Sequence, residues 1–294
     1  MKLFETQPLP GPVVSKQMSE VPRWTGGRLP LSDTLASRVI NQFEGNSPIS
    51  KRITNQGWLI GAIEQTRAIQ NRLSECPNQT KTLIERFKSR DGYHLIIYPF
   101  AGWLVHQGLG PLLAYRIGRH VSATITITVN DYGIEFLSAS MDPFAHLLSC
   151  WKALTTPINL DQDLDNALNL TELAKRQFRA TARIAGLIFE GYPGQSKSLR
   201  ALQTSAGLLF EVLKAYDAEH LLLKQAKIDV LENEFDRPRL QKTLLRIQKN
   251  KLHIVDIKQP SPLALPLVID RLSARLSSET VAERMRKMTE SFDA

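Results

Sequence analysis

Apolar residues recur at helical spacing over most of this chain and at strand spacing in a few short stretches. In "PLSDTLASRVINQF" Leu35, Val39 and Phe43 share one helical face, and Ser32 stands where an N-cap side chain would accept a backbone N–H. "GWLIGAIEQTRAIQNRL" predicts a second helix through Leu59, Ile63 and Ile69. "GYHLIIYPF" is a continuous apolar run ended by Pro99 and reads as a buried strand, while "GWLVHQGLGPLLAYRIGRH" reads as one helix or two short ones. "SATITITVNDYGIEFLS" alternates, with Ile125, Ile127 and Val129 on one face and an Asn-Asp-x-Gly turn, which predicts a β-hairpin over 122–138. "DPFAHLLSCWKAL" offers Asp142 as N-cap and Pro143 at the first helical position. "GPVVSK" near the start reads as a short edge strand.

From about residue 160 the pattern is mostly helical, with helices expected near 171–190, 198–216, 219–233 and 237–249. "KLHIVDIKQPSPLALPLVI" then suggests two short strands around a Pro-rich turn, and "TVAERMRKM" a last helix with Thr280 and Glu283 as its capping box. Helices followed by a hairpin is the order of a winged helix. The expected fold class is therefore α+β: mainly helical, with a hairpin-containing sheet or partial barrel. Two lobes are expected, a mixed α/β lobe over 1–160 and a helical, winged-helix-like lobe over 161–294.

Composition narrows the chemistry. The 294 residues are 43% hydrophobic and 22% charged, enough for a large core. The longest apolar runs are broken by Pro and Gly, so no membrane span is expected, and the first residues lack a secretory pattern. A cytoplasmic location follows as the expectation. Cys76 and Cys150 fit neither a disulfide framework nor a zinc site, and the six His residues show no ligand spacing, so no metal is expected. The net charge of +8 suits a polyanionic partner, though solubility alone also accounts for it.

"GYPGQSKS", Gly191 to Ser198, nearly spells a phosphate-binding P-loop. Ser196 stands where the second Gly belongs, Pro193 removes an N–H, and the preceding Ala174, Phe178, Thr181, Ala185 and Ile188 form a helical stripe where a P-loop needs a strand. The stretch reads instead as a connector between helices, with Gly191 as the left-handed stop and Ser196 or Ser198 as the next N-cap. Lys197 at that helix start, with Arg176, Arg179 and Arg183 near the loop, suits the phosphates of a DNA backbone, a plain helix connector being the alternative. Lys175, Arg179 and Arg183 fall at i, i+4 and i+8 on one helix face, which a solvated face also accounts for. Trp24 lies in a Pro- and Gly-bounded loop between Arg23 and Arg28, a stacking plate between two cations, as single-strand binding uses. Packing of that indole onto the core is the alternative. Trp58, Trp103 and Trp151 sit in core-like patterns. His94 and His106 flank "YPFAGWLV" and are read as structural rather than a catalytic pair, and turn chemistry accounts for Asn130, Asp131 and Gly133.

Several phrases occur together in one order: "VPRWTGGRLPLSDTLA", "LIERFKSRDGYHLIIYPFAGWLVHQGLGPLLAYRIGR", "VNDYGIEFLS", "LAKRQFRATARIAGLIFEGYPGQSKSLRALQTSAGLLFEVLKAYD" and "LLLKQA". From Val21 onward they resemble the C-terminal, DEAD/H-associated region of the large helicase-related (Lhr) family, in its DNA-ligase-associated branch. The resemblance implies an ATP-dependent 3′-to-5′ DNA helicase in which two RecA-like motor domains and a winged helix precede a module that closes over the tracking single strand. It implies a loop Trp stacked on a base, a role that carries to Trp24 in "PRWTGGR".

The chain departs from the family in lacking the P-loop, the D-E-x-H box and the arginine-finger segment. ATP and Mg²⁺ would therefore belong to motor domains outside it, and the chain is expected to carry no cofactor and not to hydrolyse ATP by itself. It is expected to be either a fragment of a longer helicase or a stand-alone product. Partners implied are single-stranded or tailed duplex DNA, the motor domains, and a ligase repair complex. A base-processing, glycosylase-like enzyme and a non-catalytic remnant or protein scaffold are the competing functions.

Overall fold

The computed structural model describes residues 31–44, 57–139, 142–145, 149–188, 191–192, 195–196 and 198–273. In chain order the elements are α1 (Asp33–Glu44), α2 (Gly57–Leu73), β1 (Lys81–Ser89), β2 (Gly92–Ile97), α3 (Trp103–Gly118), β3 (Ile125–Val129), β4 (Ile134–Ser138), α4 (Trp151–Leu154), α5 (Leu160–Leu168), α6 (Leu170–Ile184), β5 (Gly191–Tyr192), β6 (Gln195–Ser196), α7 (Leu199–Tyr216), α8 (Leu221–Asn233), α9 (Arg237–Lys249), β7 (Lys251–Asp256) and α10 (Leu265–Ser273). The fold is mixed α/β around one open five-stranded sheet of order β3-β4-β2-β1-β7. The segments "GPVVSK" and "TVAERMRKM" lie outside the described residues.

The sheet is covered on both faces, so its central strands read as nearly continuous apolar runs rather than as alternation. Ile84, Leu95, Ile97, Ile134 and Phe136 face a core shared with α3, α4, α5 and α9. Leu83, Phe87, Ile96 and Tyr98 face the other way, onto α1 and α10. The β1–β2 hairpin turns at Gly92, whose φ of +134° and close approach to the Ser138 carbonyl exclude a side chain. The β3–β4 hairpin forms as expected, and Asn130 Oδ1 accepts the N–H groups of Tyr132 (2.9 Å) and Gly133 (2.8 Å). Ser32 Oγ accepts the Leu35 N–H at 3.2 Å, so α1 starts at its expected cap. Val39 and Phe43 of the expected face pack on the core beside the buried Ala36 and Ile40, whereas Leu35 is half exposed.

Three local expectations are corrected. Asp142 makes only a turn, accepting the Phe144 N–H at 2.9 Å, and the next described helix is the single turn of α4. The strand-turn-strand expected after α9, and with it the winged-helix hairpin, is not formed. β7 instead pairs in parallel with β1, from Lys81↔Lys251 to Arg86↔Asp256, and carries the second half of the chain into the sheet of the first. The residues beyond the Pro-rich turn form α10, because Ser261 Oγ accepts the Ala264 N–H at 3.2 Å and Pro262 suits a first helical position.

The helices expected after residue 168 are present as α6, α7, α8 and α9. α6, α7 and α8 build a smaller core of Ala174, Phe178, Ala182, Ile188, Ala206, Phe210 and Ala226. Phe178 and Phe210 meet edge to face at 5.4 Å.

Candidate nucleic-acid interface

α6 buries Leu170, Ala174, Phe178 and Ala182 and turns its basic residues outward. The expected row is only partly free. Lys175 Nζ lies 2.5 Å from Glu211 Oε1 on α7, which raises the Lys175 pKa and lowers that of Glu211. Arg176 pairs with Glu234 at 3.2 Å. Arg179 is half-buried and makes no hydrogen bond or ion pair among the described residues. Arg183 is exposed at the end of the helix. Of the row Lys175, Arg179 and Arg183, Arg179 is thus the one left without an ion-pair or hydrogen-bond partner among the described residues. Sequence spacing along α6 does not reveal Glu211, because it comes from another helix.

The left-handed stop that follows α6 is Gly186, not Gly191. Gly186 has φ +73°, and the Leu187 N–H reaches back to the Ala182 carbonyl at 2.9 Å. Gly191 instead pairs with Ser196 in a two-strand hairpin, β5–β6. α7 then starts after Ser198, whose carbonyl accepts the Leu202 N–H at 3.1 Å. A helix and a paired hairpin before α7 replace the strand and open amide loop that ATP phosphates require. Trp24, Arg23, Arg28 and Lys197 lie outside the described residues, as does the side chain of Trp58. Trp151 is in the main core, with its indole N–H toward the Ile247 carbonyl at 3.4 Å, and Trp103 opens α3 half-buried.

The two histidines separate. His106 is fully buried between main-chain groups: its Nδ1 bonds the Asn130 carbonyl at 2.6 Å and its Nε2 accepts the Ala101 N–H at 3.1 Å. Burial pulls its pKa down to about 4. Asp131 accepts the Trp103 N–H at 2.9 Å at the start of α3. Both are structural, as expected.

His94 belongs to a buried polar layer under α10 that periodicity did not reveal. Its Nδ1 lies 2.8 Å from Glu135 Oε1 and its Nε2 2.7 Å from Ser89 Oγ. Arg271 Nε lies 3.3 Å from Glu135 Oε2, and its Nη1 2.8 Å from Asp91 Oδ2. Alongside, Glu85 Oε2 accepts from Tyr98 (2.6 Å) and Ser261 (2.7 Å), and its Oε1 from Gln70 (2.8 Å). Glu85 and Glu135 both pair with Ile96 across the sheet, so they occupy one row of the same face. The signal that was available is the charged residue inside "LIERF" and "IEFLS", each an apolar run that a solvent-facing Glu would not need.

Residues 76–264 match the family model described as DEAD/H associated. The chain belongs to the DEAD/H-associated family. The matched span runs from just before β1 to the turn before α10, and so takes in the whole sheet and the helical hairpins. The chain is 24% identical over 287 residues to the ATP-dependent helicase Lhr-Core of Methanocaldococcus jannaschii, covering 92% of this chain and 33% of that protein. It is 26% identical over 263 residues to the Lhr-Core protein 2 of Thermococcus barophilus, covering 85% and 30%. Its fold matches Mycobacterium smegmatis helicase Lhr, solved bound to ssDNA and AMP-PNP, with a TM-score of 0.63 at 20% identity over 86% of this chain and 33% of that one. The DEAD/H-associated chain thus spans about a third of the length of these relatives. Among its described residues no helix is long and apolar enough to cross a membrane.

Proposed function

We propose that this chain is the single-stranded-DNA-binding accessory module of an Lhr-type ATP-dependent 3′-to-5′ DNA helicase that acts in DNA repair. In this reading ATP and Mg²⁺ are held by RecA-like motor domains outside the chain, and the module binds the single strand those motors pull. The observation that carries it is the fold match over 86% of the chain to a helicase solved with single-stranded DNA. The net charge of +8 and Arg179, whose charge no described residue compensates, support a phosphate partner. Trp24, between Arg23 and Arg28, is assigned the base-stacking role, with Lys175, Arg183 and Lys197 contributing to the basic track.

Titration of a fluorescent single-stranded oligonucleotide at several salt concentrations tests the reading. Affinity should fall with a log–log slope of about −0.7 per phosphate contact, with little sequence preference. Trp24→Ala should weaken binding by roughly 1–3 kcal/mol and leave the melting temperature unchanged. Salt-independent binding, or a Trp24→Ala chain that melts early yet binds normally, would count against it.

A further inference from the structure

Ser89, His94 and Glu135 stand in the order and spacing of a nucleophile, its general base and the carboxylate that orients the base. Ser89 Oγ is 2.7 Å from His94 Nε2, and His94 Nδ1 is 2.8 Å from Glu135 Oε1. Glu135 accepts a hydrogen bond from the protonated Nδ1 and holds the ring in that tautomer, which leaves Nε2 as an acceptor for the serine hydroxyl. The ring cannot turn away: it is buried and stacked on Phe87, with centroids 4.1 Å apart and planes within 7°. Glu135 is itself held from behind by Arg271. Ser89, by contrast, is exposed at the β1–β2 turn, so the reactive end of the chain of contacts opens to solvent. The Asp91 N–H donates to Ser89 Oγ at 3.0 Å and fixes its rotamer. The N–H of Arg90, the amide that follows the serine, has no hydrogen-bond partner among the described residues. That is the place from which hydrolases of the serine type supply one oxyanion donor.

We propose that Ser89 is an activated nucleophile that attacks carboxylic esters. Its Oγ forms a bond to the acyl carbon while its proton passes to His94 Nε2. Collapse of the tetrahedral intermediate breaks the ester C–O bond, and the alcohol leaves with the proton from His94. Water, giving a proton to the same nitrogen, attacks the acyl carbon; the bond from that carbon to Ser89 Oγ then breaks, Oγ takes the proton back from His94, and the acid leaves. Glu135 shares its carboxylate between His94 and Arg271, and covalent capture is the sensitive readout.

The test treats the full chain with an alkyl fluorophosphonate, which leaves a phosphonyl group on the serine and releases fluoride, followed by intact and peptide mass measurement. One label per folded chain is expected, on Ser89, forming at least about a hundredfold faster than in the same chain in urea. Ser89→Ala, a change at an exposed position, should remove it, and Ser89→Cys should restore covalent capture with a haloacetamide at a rate above that of Cys76. Hydrolysis of p-nitrophenyl acetate should fall at least tenfold in Ser89→Ala. Labelling spread over other serines, or a Ser89 no faster when folded than in urea, would overturn the assignment and leave the three residues as a structural tie.

Discussion

His106 shows how one buried side chain sets a pH response. Its two ring nitrogens are committed to the Asn130 carbonyl and the Ala101 N–H, and burial pulls its pKa down to about 4. The unfolded chain takes up a proton on this residue near pH 6.5, whereas the folded chain refuses it until about pH 4. Stability from this site is complete above pH 6.5 and is lost as the pH falls from there towards 4. The loss amounts to about 3 kcal/mol. Denaturant melts across that range should show it, and His106→Asn should flatten the slope. A second residue-scale outcome concerns the basic face of α6. Arg179→Glu should reduce single-strand affinity more than Lys175→Ala, since Glu211 already compensates Lys175. Oligonucleotide titrations of the two variants, side by side, measure this.

At the scale of elements, caps and anchors decide where segments begin and dock. The Ser32 cap of α1 joins a helix that buries only Ala36 and Ile40, so its start matters. Ser32→Ala should cost about 0.5–2 kcal/mol in a urea melt. Arg116 on α3 does more. It pairs with Asp163 of α5 at 2.8 Å and donates to the carbonyls of Leu154 (2.7 Å), Thr156 (2.7 Å) and Ile158 (3.4 Å), so one buried guanidinium holds the whole α4–α5 connection against α3. Arg116→Ala leaves three carbonyls without their donor and Asp163 with only Arg119, 3.7 Å away, and should destabilise the chain by roughly 3 kcal/mol, read from the same kind of melt. The helices from α6 to α9 were legible to within a few residues because apolar spacing, Gly, Pro and acidic caps all act locally. β1 was not, because a strand buried on both faces shows no alternation, and because Glu85 and Arg86 inside it look solvent-facing until Tyr98, Ser261 and Asp256 are in place.

For the whole molecule, the sheet joins the two halves of the chain. β7 pairs with β1 across some 170 residues of sequence, and α10 closes the face opposite α3. An isolated C-terminal half would therefore expose β7 and lose the core beneath α10. Among the described residues at 191–198 no strand-loop-helix for nucleotide phosphates is formed, since a hairpin and a preceding helix occupy the place. Purified alone, it should show no ATP hydrolysis above background with or without DNA, and Lys197→Ala should change nothing in a nucleotide assay. Saturable ATP turnover that Lys197→Ala abolishes is the contrary result, detectable by phosphate release.

What the sequence determined by itself is local: the α+β class, the 122–138 hairpin, the Ser32 cap, the helices after residue 168, the overall charge and the family resemblance. Each depends on neighbours within a turn or a strand pair, or on phrases long enough to compare. Tertiary structure decided the rest. It turned the expected wing into a parallel edge strand and a helix, because the free edge of β1 and the Ser261 cap compete successfully with a local hairpin. It cancelled Lys175 with a carboxylate from α7. It also placed Ser89, His94, Glu135 and Arg271, which come from four elements, in one chain of contacts beneath α10. Such a constellation has no sequence period, because its spacing is set by strand register and helix docking rather than by the order of residues along the chain.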